Sequence, residues 1–77
     1  MRKHLVSSTQ MRMSELLREA LDQQEISQAE LARQAGVSLK HVNQVMNGKA
    51  GAQQGQLDYW AWLLGLRFEV TLVSISE

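Results

Sequence analysis

The stretch Ser27-Gln28-Ala29-Glu30, with Gly36 six residues after it, constrains this chain more than any other feature. A serine three residues ahead of a glutamate is a capping box. The hydroxyl accepts from the third amide, the carboxylate reaches back to the amide of Ser27, and a helix starts. Gly36 offers the left-handed residue that closes a helix, so this one has only two turns. Ala29, Leu31, Ala32 and Ala35 give it a small-residue apolar surface. Val37 leads to Ser38, a second cap candidate, and a third helix is predicted over Leu39 to Asn47, running to Gly48. Two short helices joined so tightly must cross steeply. Ala32 lies near the crossing, where a larger side chain would hold them apart.

Around this pair the pattern predicts two more helices. Met13, Leu16, Leu17, Ala20 and Leu21 recur at helical spacing, placing a first helix over Gln10 to Gln24 with Ser8 or Thr9 as its cap. Lys49 to Gly55, with Gly51 inside it, reads as a loop. Leu57, Trp60, Ala61 and Leu64 trace a fourth helix over Gln56 to Leu64, ended by Gly65. Tyr59, Trp62 and Leu63 give that helix a second apolar surface, so it wants two partners. Arg67 to Ile75 alternates and is rich in β-branched residues, the pattern of a strand. A single strand after a helical bundle has no internal sheet. Pairing with the same strand of a second copy is the favoured solution, and a two-fold contact is the commonest oligomer geometry. The expected organisation is an arm over residues 1–9, a helical domain over 10–66 and a dimerisation strand over 67–77.

The third helix has an unusual surface. Val42, Val45 and Met46 face one way, and Lys40, His41, Asn43, Gln44 and Asn47 cover the rest without an acid. A solvated face ordinarily mixes both signs. The 77 residues hold eight basic and eight acidic side chains, a neutral total that argues mildly against nucleic acid. Their distribution argues the other way. Five acids crowd positions 15–30, and from Leu31 to Leu57 the formal charges are Arg33, Lys40 and Lys49, all positive. Such a segment can lie against phosphate without local repulsion.

Other classes recede. There is no cysteine, so no disulfide, thiolate nucleophile or sulfur-held metal, and His4 and His41 have no neighbouring carboxylate pattern. No glycine-rich phosphate loop, paired carboxylates or nucleophile arrangement points to an enzyme, and no metal or cofactor is expected. No apolar run approaches the roughly 20 residues that cross a bilayer. Arg2 and Lys3 are not followed by an apolar signal region, so a cytoplasmic, nucleoid-associated protein is expected.

A two-turn helix, a glycine turn and a second helix with apolar residues inward and amides outward is the layout of a helix-turn-helix. Such a second helix fits a major groove about 12 Å wide. The run from Ser27 to Ser38, followed by Val42, Val45, Asn47, Gly48 and Lys49, resembles the phage repressor and Cro type of helix-turn-helix domain, the XRE family, over about Met13 to Leu66. The resemblance implies a mainly α fold of four or five helices that binds double-stranded operator DNA as a dimer and regulates transcription, most simply as a repressor. By position, it implies that Leu39, Lys40, His41, Asn43 and Gln44 read bases. It also implies that Ser27, Gln28, Asn47 and Lys49 meet backbone phosphate, with Gln28 bracing the recognition helix as well. Lys40 suits guanine O6 and N7, and Asn43 or Gln44 suits adenine N6 and N7. Leu39 departs from the polar residue common there and offers contact to a thymine methyl. Trp60 and Trp62 read as core and dimer surface rather than base-stacking platforms.

The tail from Leu64 to Val73 is similar to the strand after the bundle in HipB-type antitoxins, where strands of two subunits pair. That resemblance implies a dimer interface of Tyr59, Trp62, Leu63, Phe68, Val70, Leu72 and Val73. It also opens an alternative function, an antitoxin that masks a toxin protein and represses its own operon. A helical adaptor with no DNA role is the remaining alternative, which the acid-free face disfavours.

Overall fold

Two polar residues help to hold the first helix in place. A computed structural model describes residues 8–69, 72 and 74, and within them α1 spans Ser8–Gln24. Met13, Leu17, Ala20 and Leu21 are buried as their spacing predicts, whereas Leu16 lies at the edge, 37% exposed. Gln10 and Ser14 continue the same inward face by one turn although neither is apolar. The Gln10 amide donates to the carbonyl of Ala50 at 3.1 Å and accepts from the amide of Ala52 at 3.2 Å. The Ser14 hydroxyl donates to the carbonyl of Val45 at 3.2 Å. Among the described residues the helix already includes Ser8, two residues before the expected Gln10. Ser8 and Thr9 are helical rather than caps or part of an arm, and residues 1–7 fall outside the described chain.

Gln10 does the work of a strand of backbone: it satisfies a donor and an acceptor of a loop that has no ladder of its own. Gln10→Ala is expected to cost about 1–2 kcal/mol, lowering the melting temperature by roughly 5–15 °C in a domain of this size. Thermal unfolding followed by circular dichroism checks this, and an unchanged midpoint would show that water replaces the amide without loss.

α2 spans Gln28–Ala35, capped by Ser27, whose hydroxyl accepts from the amide of Glu30 at 3.0 Å. The return half of the capping box is not made. The Glu30 carboxylate instead accepts from Arg33 and from Gln34, one turn along the same helix. Gly36 closes α2 at φ 74°, its amide directed to Arg33 and that of Val37 to the carbonyl of Ala32. This pair of bonds is the Schellman closure. Leu31 and Ala32 are buried, while Ala29, expected to add apolar surface, is exposed.

α3 spans Leu39–Met46, with the Ser38 hydroxyl accepting from the amide of His41 at 3.0 Å and Asn47 as the C-cap, one residue short of the expected end. α4 spans Gln54–Leu63 and starts two residues before the expected Gln56, taking Gly55 into its first turn. Leu57, Trp60, Ala61 and Leu64 are buried. α2 packs on α3 and α4, and α1 packs on α3 and α4. The core is thus Leu17 and Leu21 from α1, Leu31 from α2, Val42, Val45 and Met46 from α3, and Leu57 and Trp60 from α4.

The mainly helical fold is as anticipated, with four helices among the described residues. The strand expected over 67–75 is not found there: residues 66–69, 72 and 74 carry no strand, and Val70, Val73 and Ile75 lie outside the described residues. A strand needs a ladder partner, and the described helices supply none. Phe68 folds back, half-buried, against the core, and Leu72 is 98% exposed.

Candidate nucleic-acid interface

α3 is amphipathic in a way that aims its polar groups. Val42 and Val45 are fully buried and Met46 nearly so, and this apolar underside fixes the helix roll. Lys40, Asn43, Gln44 and Asn47 are consequently exposed, as is Leu39 at 44%. Beyond Asn47, Gly48 takes φ 72°, and the amides of Lys49 and Ala50 both turn back to the carbonyl of Gln44 at 2.8 and 3.2 Å. That fold of the chain, held from α1 by Gln10, presents Lys49 to solvent beside the end of α3.

His41 stands apart from the other four base-reading candidates. Its ring is half-buried, with Nε2 3.2 Å from Oε1 of Gln56 and a T-shaped contact with the Trp60 ring, centres 5.9 Å apart at 81°. Of the phosphate candidates, Asn47 and Lys49 are exposed, and Ser27 is exposed with its hydroxyl engaged by the amide of Glu30. Gln28 is half-buried at the start of α2, and its Oε1 is buried without a hydrogen-bond partner among the described residues. A buried carbonyl oxygen left so is costly, and a second molecule supplying a donor or ordering a water would relieve it.

The charge pattern is sharper than the sequence suggested. Arg33 is bound to Glu30. Its hydrogen bond, with the Gln34 bond second, holds the Glu30 carboxyl below its ordinary value, and the same bond raises the guanidinium of Arg33. Arg33 is therefore compensated, leaving Lys40 and Lys49 as the cations of the acid-free stretch without an ion pair among the described residues. Sequence reasoning passed over Arg18, which lines a small cleft with Met46, Asn47 and Gly48 and has no ion pair among the described residues. Its signal was position: Arg18 lies one turn after Ser14 on α1, but it stands amid the acids of that helix. Gln56 was also missed, since a glutamine in a predicted loop-to-helix boundary carries no periodic signal.

The remaining candidates lie on another side. Tyr59 and Trp62 are 46% and 68% exposed and stack with ring centres 6.1 Å apart at 16°. Leu63 and Phe68 are half-buried against the core.

A family model described as helix-turn-helix matches residues 17–58, more than half of the chain, from the middle of α1 into α4. That is shorter than the Met13 to Leu66 of the sequence resemblance, and it does not reach the tail. No curated protein and no solved structure matches the chain. Among the described residues no helix is long and apolar enough to cross a membrane. The matched segment holds the two capped helices, the Gly36 turn and the outward polar face, and on that basis the chain belongs to the XRE-type helix-turn-helix family, whose members are DNA-binding regulatory domains and not enzymes.

Proposed function

We propose that this protein is a sequence-specific transcriptional repressor that reads a palindromic operator as a homodimer. The observation that carries the reading is the acid-free outward face of α3 over a fully buried underside. Lys40 reads guanine, Asn43 and Gln44 read adenine, and Leu39 meets a thymine methyl. Ser27, Gln28, Asn47 and Lys49 hold the phosphates, with Arg18 at the flank of the same turn. The exposed stack of Tyr59 and Trp62, with Leu63 and Phe68, supports a subunit contact there, which Val70, Leu72 and Val73 of the tail would extend. Formal neutrality keeps nonspecific affinity low and the salt slope modest.

Selection from random duplexes tests both parts. The expected product is an inverted repeat with half-sites about 34 Å apart, and an unrepeated half-site removes the dimer. On the selected duplex, Lys40→Ala should relax preference at one base pair. Lys49→Ala should weaken all sequences alike and lower the salt slope by about 1. Equal, sequence-independent losses from both would remove Lys40 from base reading.

The same exposed aromatic pair supports a second reading, an antitoxin whose Tyr59 and Trp62 face docks a toxin protein. A stoichiometric partner lost on Trp62→Ala, with DNA binding kept, would favour it over the dimer.

A further inference from the structure

We infer that His41 is a positioning residue: it ties the first turn of α3 to α4 through Gln56 and Trp60, and so sets the angle at which Leu39 and Lys40 meet the base edges. This rests on the DNA-reading function proposed above and departs from it at one residue, since the ring acts from behind the reading face.

The geometry separates how the two ends of α3 are held. The middle and end are gripped from below by Val42, Val45 and Met46, and the Ser14 hydroxyl of α1 fastens the carbonyl of Val45 at 3.2 Å. The first turn is held on its α2 side by Val37, which packs against the core, but Leu39 and Lys40 are exposed, and the Ser38 cap closes the turn on itself at 3.0 Å without reaching another helix. His41 reaches α4. Gln56 and Trp60 lie one turn apart on the same side of α4, and the ring contacts both, by the 3.2 Å bond of Nε2 to Gln56 and by a T-shaped contact with Trp60, ring centres 5.9 Å apart. Trp60 is 1% exposed and held by the core, so this anchor is a fixed one. An edge-to-face contact with a buried indole has a directional preference that a methyl group lacks.

Positioning predicts a signature that base contact does not. In His41→Gln the amide nitrogen lies the same number of bonds from the backbone as Nε2 of histidine, so it can still donate to Gln56. On the selected duplex and its single-mismatch versions, His41→Ala should lower discrimination at the pairs facing Leu39 and Lys40 by about five-fold, the worth of one hydrogen bond. The salt slope should not change. His41→Gln should recover most of the loss. Gln56→Ala, which leaves the ring in place and changes no residue of α3, should produce a similar loss, and adding it to His41→Ala should give no further one. If His41→Ala fails to fold, Gln56→Ala decides alone. Wild-type discrimination in Gln56→Ala, or losses in the two single variants that add, overturns the inference and returns His41 to the bases. A wild-type protein that selects no sequence fails the DNA-reading function itself, whatever the variants do.

Discussion

Replacing Trp60 with alanine is expected to lower the melting temperature by roughly 12–40 °C. The indole is 1% exposed and sits in one cluster with Leu17, Leu31, Val42 and Leu57, so it joins all four helices. Removing a buried tryptophan costs about 3–5 kcal/mol from lost transfer energy and the cavity left behind. At 0.05–0.15 kcal/mol per residue a chain of this length is stable by roughly 4–12 kcal/mol. The loss is about a quarter of the total at least, and no disulfide is present to limit it. The companion Trp62→Ala should change stability by about 0.5 kcal/mol or less, because that ring is 68% exposed. Urea or thermal unfolding of the two variants side by side is the check. A melting temperature for Trp60→Ala within about 10 °C of the parent would show that the core refills the space.

Lys40→Glu should abolish specific DNA binding while sparing the fold. Lys40 is exposed, with no ion pair among the described residues, so reversing its charge disturbs little inside the domain. On the proposed reading the change removes a guanine contact at the duplex and sets a carboxylate among phosphates. Together these amount to a loss of about 100-fold or more at moderate salt. The loss should shrink as salt rises, since repulsion is screened over about 10 Å at 0.1 M. Titration of the selected duplex by fluorescence anisotropy at two salt concentrations measures it. Retained affinity would mean that the N-terminal turn of α3 does not face the groove.

Much of this structure is written locally. Ser27, Gly36 and Ser38 act through their own side chains or dihedral angles on residues within a few positions, so the ends of α2 and the start of α3 follow from the sequence. Val42, Val45 and Met46 repeat with the helix period and were readable as the underside for the same reason. What escaped depends on groups far apart in the chain. Gln10 meets residues 40 and 42 positions away, and no apolar stripe betrays a buried glutamine. His41 turns toward Gln56 across fifteen residues, which a helical wheel of α3 alone places on the polar arc. The reciprocal bond of the capping box failed for a different reason: Glu30 has Arg33 within its own helix as a charged competitor for the neutral amide of Ser27. The tail alternates as a strand does, yet alternation states a preference that only a neighbouring strand can fulfil.

The Gln10 clamp makes the first turns of α1 answerable for the shape of the loop after α3. A change confined to that one amide group acts on the backbone around Ala50 and Ala52, forty residues along the chain. On the proposed reading, affinity for DNA would then shift although no residue that meets the duplex had been touched.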